Sequence, residues 1–275
     1  MNKFYLANLN IVLRILLAYG YLFLLSDFDN LIHKFIIFTI TLGCFLQIDG
    51  LWNSYFYRKF NSIKNKNLLK YNVITSIFIY FITSLLGCIS FHFLGFDLNN
   101  SSGLIIIFFA FFLRFCDSFL RFRIDIQKIL TIDFFTLLFG IFLLIYIFLT
   151  PKIPELYEII LLFVFPMLLN GMIKFFYFSW FVVVDELFKS FNKSKLVFFN
   201  NDIFIYLHYL VSAGFVFNLI ILFINQLSSG LFFSTSFLFT YRLLSAVAEV
   251  SSVPVNTSMP LITKAFYGNK IADSI

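Results

Sequence analysis

Five ionisable side chains lie deep inside apolar runs of this chain: Arg14, Asp49, Lys174, Arg242 and Glu249. In a bilayer such a charge costs at least about 2.5–3.5 kcal/mol, so it normally faces a protein interior or a water-filled cavity and marks a path for an ion or substrate. Arg242 and Glu249 are seven residues apart and share a helix face, where they can pair loosely or line one wall of a cavity. Arg114, Asp117 and Arg121 share another face at spacings of three and four; there the plainer reading is a set of salt bridges and snorkelling cations near a span end. Arg14, Lys174 and Arg242 are deep cations for which the sequence offers no obvious deep anion. Their chemistry suits an anionic ligand as well as an interhelical salt bridge.

Other candidates for chemistry are weaker. Asp27-Phe28-Asp29 matches the D-x-D of metal-dependent glycosyltransferases, but it sits in a short loop and reads as a solvated turn. His33, His92 and His208 are far apart, with no carboxylate or cysteine at metal spacing. Cys44, Cys88 and Cys116 fall in apolar runs and read as core residues, forming neither a disulfide framework nor a zinc site. No phosphate-binding loop, nucleophile elbow or C-x-x-C is present. The sequence therefore predicts no catalytic residue, metal or cofactor.

These charges must be positioned by membrane helices. The 275 residues are 61% hydrophobic and 22% aromatic, include 44 Phe, and have only 12% charged residues and a mean hydropathy of +0.93. A soluble domain carries about 25% charged residues. Such a composition belongs to a polytopic membrane protein, and the scattered net charge of +6 is a matter of topology, with no basic arm for nucleic acid. We expect an all-α bundle of about eight spans near 5–25, 35–56, 71–95, 103–120, 129–149, 156–184, 203–225 and 231–253. Fourteen loop cations fall on one side of this map and only two, Lys34 and Lys152, on the other. The excess predicts both termini in the cytoplasm and a multi-pass protein of the inner membrane. Pro166 should kink the sixth span, and Pro254 and Pro260 should end or bend the eighth. Residues 185–201 mix Lys and Phe and suit an amphipathic cytoplasmic linker. It separates 1–184, a six-helix lobe, from 202–275, the first two helices of a second.

Two stretches carry a family resemblance. Phe112–Leu149, FLRFCDSFLRFRIDIQKILTIDFFTLLFGIFLLIYIFL, resembles the fourth and fifth spans of polysaccharide flippases of the multidrug/oligosaccharidyl-lipid/polysaccharide exporter superfamily. Phe239–Gly268, FTYRLLSAVAEVSSVPVNTSMPLITKAFYG, is similar to that family's eighth span, where small residues and prolines lead into a basic cytoplasmic end. The resemblance implies a helix bundle in two lobes around a central cavity. It also implies movement of a lipid-linked oligosaccharide between leaflets during O-antigen or capsule assembly. On that reading Arg14, Lys174 and Arg242 would meet the lipid pyrophosphate, and Asp49 and Glu249 would be ion-coupling carboxylates. Family members usually have twelve or more spans, so this chain resembles a truncated member needing a second transmembrane segment or chain.

Two other classes compete. A membrane-embedded polysaccharide polymerase or glycosyltransferase would be expected to carry a sizeable outward loop with Arg and carboxylates, whereas the connections near 26–34, 96–102 and 150–155 are short. An inactive scaffold or transporter fragment would suit the missing second half.

Overall fold

In the computed structural model, the residues described are 3–26, 28–62, 66–93, 101–123, 126–150, 155–181, 215–227, 237, 238, 240, 241 and 244. Their elements are all helical: α1 (Lys3–Leu24), α2 (Asp29–Ser62), α3 (Lys66–Phe93), α4 (Ser101–Phe112), α5 (Phe115–Arg123), α6 (Ile126–Leu149), α7 (Leu156–Phe181) and α8 (Phe215–Leu227). Among the described residues six helical stretches are long and apolar enough to cross a membrane: Tyr5–Leu24, Asn30–Tyr57, Tyr71–His92, Gly103–Phe122, Ile126–Leu149 and Leu156–Trp180. The protein is an all-α polytopic helix bundle. The first six spans expected from hydropathy coincide with these within a few residues, because the length of an apolar run is set by local composition. A bilayer also demands that every backbone N–H and C=O be paired within the segment, which a helix does by itself.

The expected seventh span contains the short apolar helix α8, which packs on α2. The amphipathic linker at 185–201, the eighth span apart from residues 237, 238, 240, 241 and 244, and Arg242, Glu249, Pro254 and Pro260 lie outside the described residues. So does Asp27 of the D-x-D.

α1 packs on α6, α6 on α7, and α7 on both α4 and α5; α3 packs on α4, and α2 touches α3, α5, α7 and α8. Two apolar clusters result. The larger gathers Tyr21, Leu25, Phe35, Phe38, Cys44, Phe91, Ile107, Phe111, Ile147, Ile159 and Val164 at one end of the bundle. The smaller gathers Tyr55, Phe56, Phe60, Val73, Tyr80, Phe115, Phe119, Ile129 and Phe178 at the other. Ring contacts knit each one, with Tyr21 and Phe163 edge-on at 5.1 Å in the first and Phe119 and Phe178 at 5.1 Å in the second. Cys44 and Cys116 are buried and Cys88 is half-buried, and none of the three is in a disulfide.

The fourth span is not one continuous helix. α4 ends at Phe112, Leu113 and Arg114 form a turn, and α5 resumes at Phe115. Across the joint Arg114, Cys116 and Asp117 donate their N–H groups three residues back, to the carbonyls of Phe111 (3.1 Å), Leu113 (3.3 Å) and Arg114 (2.9 Å). This is a tightening of 3₁₀ type. No proline or glycine stands there. Pro166 falls inside α7, which is helical on both sides of it.

A candidate polar layer between two apolar cores

Each of four spans passes from one apolar cluster to the other, and at the crossing it carries a charge. On α2 the passage from Cys44 to Tyr55 holds Asp49; on the fourth span, from Phe111 to Phe115, it holds Arg114, with Asp117 one turn further. On α6 the passage from Ile129 to Ile147 holds Asp133, and on α7 from Val164 to Phe178 it holds Lys174. Successive spans reverse direction, so these residues come to one level, about 10 Å in from a shared end of the bundle at 1.5 Å per residue. The side chains meet there as a continuous polar layer.

Lys174 is its centre. Its Nζ lies 2.6 Å from Asp117 Oδ1 and 2.8 Å from Asp133 Oδ1, and it donates a hydrogen bond to the latter. Only 3% of Lys174, 6% of Asp117 and 7% of Asp133 is exposed. Asp117 Oδ1 is buried, and Lys174 Nζ is its close charge partner.

Helical spacing explains how α6 and α7 meet. Asp133, Thr136 and Gly140 recur at three and four residues and form the buried face of α6. Asn170 and Lys174 are one turn apart on α7. Asn170 Nδ2 donates to Asp133 Oδ1 (2.9 Å) and to Thr136 Oγ1 (2.8 Å). The close approach needs small residues. A Cβ on Gly140 would meet Pro166 Cγ at 3.1 Å and Leu17 Cδ2 at 3.2 Å, so α1, α6 and α7 converge at that glycine.

A second ion pair adjoins the first. Arg114 Nε lies 2.5 Å from Asp49 Oδ2 and donates to it. Asn53 Nδ2 donates to Asp49 Oδ1 (3.2 Å), and the Tyr80 hydroxyl donates to the Asp49 backbone carbonyl (3.2 Å). Asp49, Tyr80, Thr83, Phe45 and Phe111 line a recess with about 10 Å³ of space, room for about one water. The two pairs sense each other: Asp117 interacts coulombically with Asp49, Arg114 and Arg121 as well as with Lys174.

Arg14 behaves differently. It lies on the inward stripe of α1 with Ala7, Asn10, Leu17 and Tyr21, all buried, while Arg14 itself is exposed. Val12 and Leu16, two residues away on either side, point the opposite way and form an exposed apolar face. The Arg14 side chain is thus accessible although its position lies on the stripe of α1 that is otherwise buried. The Arg14 charge acts on Asp133 across the α1–α6 contact.

The expectation of deep cations without deep anions is thus corrected for Lys174: two carboxylates flank it. Asp49, expected from the resemblance to be an ion-coupling carboxylate, is paired with Arg114. Arg114 and Asp117 form salt bridges, as their helical spacing suggests, but to Asp49 and Lys174 on other spans. Sequence reasoning missed Asp133, which lies only four residues inside the expected start of its span and reads as an interfacial acid. The signal that could have found it was the match of two one-turn pairs, Asp133 with Thr136 and Asn170 with Lys174. Glu249 and Arg242 lie outside the described residues. Among the described residues, no group of three His, Cys, Asp or Glu side chains is placed to hold a metal ion.

Compared with protein-family models, curated proteins and solved structures, the chain matches none.

Proposed function

We propose that this chain is a membrane transporter that moves a lipid-linked oligosaccharide across the inner membrane during surface polysaccharide assembly, without covalent catalysis. The observation that carries this reading is Arg14. It is an exposed guanidinium on a buried stripe of a membrane helix, one helix contact away from a closed charge network. An exposed cation at that depth suits a diphosphate, which guanidinium groups bind by paired hydrogen bonds. The substrate class comes from the resemblance of Phe112–Leu149 and Phe239–Gly268 to the flippases. Lys174, engaged by two carboxylates, holds the layer together in this reading, while Arg242 keeps the diphosphate role proposed for it from sequence. Glu249 likewise keeps its coupling role. The cations in the connections at that end favour the cytoplasmic half for the polar layer, the side from which such a lipid would load.

The test is complementation of a flippase-deficient strain, scored against the amount of protein in the membrane and with any second-half segment supplied. Arg14→Glu should abolish transport at normal protein level, and Arg14→Lys should retain part of it, since charge survives while bidentate geometry is lost. Full transport by Arg14→Glu would overturn the reading.

A further inference from the structure

We propose that the eighth span of this chain packs on α2, with Ser245, Ala248 and Ser252 seated against Gln47, Gly50 and Ser54. The contact concerns how the chain covers its own central helix and does not depend on what is transported.

α2 packs against α3, α5, α7 and α8. From Phe35 to Phe60 its described residues are buried or half-buried except at Gly50 and Ser54, which are exposed. Among the described residues no atom lies within 4 Å of a Cβ built on Gly50. Half-buried Gln47 belongs to the same line, since 47, 50 and 54 follow one another at three and four residues. A glycine and two polar residues are a poor surface for lipid tails. They suit another helix, because membrane helices associate through small residues that let backbones approach and through hydroxyl and amide groups that hydrogen-bond across the contact.

The neighbouring interface says which helix. α8 already lies on α2, and the start of the eighth span is tied to both. Leu238 is fully buried in the apolar cluster that holds Phe35 and Cys44 of α2, and Tyr241 packs against that cluster. The Tyr241 hydroxyl donates to Asn218 Oδ1 of α8, and its ring lies 5.4 Å from that of Phe217. The seat at Gly50 and Ser54 continues a contact that is already made.

The phase of the eighth span agrees. Leu238 is buried and Tyr241 half-buried, whereas Phe237, Thr240 and Leu244 are exposed. Carried on at helical period, the inward face passes through residues 245, 248 and 252. These are Ser, Ala and Ser, all small, at the same three-and-four spacing as 47, 50 and 54. On the topology predicted by the loop cations both segments run inward, so the two rows advance together. Asn53 Oδ1, beside the α2 row, is buried and takes no hydrogen bond from the described residues. The hydroxyls of Ser245 and Ser252 are donors of the kind it lacks. Arg242 and Glu249 follow directly on Tyr241 and Ala248, so the contact brings them alongside the part of α2 that carries Asp49.

The test is disulfide cross-linking of the full chain in native membranes, in a cysteine-free background with a protease site inserted within 185–201. Gln47→Cys, Gly50→Cys and Ser54→Cys are each combined with Ser245→Cys, Ala248→Cys and Ser252→Cys, and the chain is oxidised, cleaved and run without reductant. A disulfide needs the two Cβ atoms about 3.5–4.5 Å apart, so pairs in one register should hold the two fragments together and the others should not. Leu244→Cys, on the exposed face, should lose the cross-link with all three α2 positions. If Gly50→Cys does not fold, the rows of Gln47→Cys and Ser54→Cys decide. Disulfides that join two copies of the chain would overturn the contact in favour of a second copy on this face. Failure of every pair would overturn it as well, and reaction of Ser54→Cys with a charged or only with a lipophilic thiol reagent would then assign the face to water or to lipid. Cross-linking in a chain that fails complementation leaves the contact standing and counts against the transporter reading alone.

Discussion

Gly171 of α7 faces Leu113 in the turn between α4 and α5 so closely that a Cβ at residue 171 would lie 2.8 Å from Leu113 Cβ. The contact seats α7 in the joint of the fourth span, one turn from Lys174. Gly171→Ala forces backbone to move, since the atom in the way is a Cβ and not the end of a flexible chain. We expect a loss of about 1–3 kcal/mol. Gly43, on α2, has nothing within 4 Å of the same virtual atom, so Gly43→Ala should be neutral or slightly stabilising. Thermal unfolding of the two variants in detergent separates these outcomes.

Lys174 compensates two buried acids at once, so its removal exposes both. Lys174→Met should destabilise the bundle by about 3–5 kcal/mol, the range for breaking a buried ion pair from one side. Adding Asp117→Asn and Asp133→Asn to it should restore much of the loss, because no uncompensated charge is then left behind. The check is the melting temperature of the triple variant against the single; a triple variant less stable than Lys174→Met would contradict the pairing.

Asp49 and Arg114 join α2 to the helix joint through a 2.5 Å contact. A double-mutant cycle with Asp49→Asn and Arg114→Gln should return a coupling of about 0.5–3 kcal/mol, with the double variant less damaged than the two single losses together. Additive losses in denaturation experiments would show that the pair does not hold α2 to the fourth span.

The asymmetry of loop cations predicts sidedness. In a cysteine-free background, Asn100→Cys and Ser228→Cys should label with an impermeant thiol reagent applied to intact cells, while Asn65→Cys should not. Labelling of Asn65→Cys alone would invert the map.

What the residues determine on their own is the membrane class and the course of the first six spans. An apolar run of about 20 residues has no stable alternative in lipid to a helix that crosses it, whichever neighbours it meets. The depth of Arg14, Asp49 and Lys174 follows from the same count along the chain. What tertiary structure decided is which charges meet. Asp133 and Lys174 are 41 positions apart and Asp49 and Arg114 are 65 apart, so their pairing depends on the lateral order of helices. In spans that are apolar almost all round, hydropathy specifies that order poorly. The joint at Leu113 and Arg114 is a product of packing as well: with no Pro or Gly to announce it, it arises where Gly171 admits α7 and where Arg114 reaches Asp49.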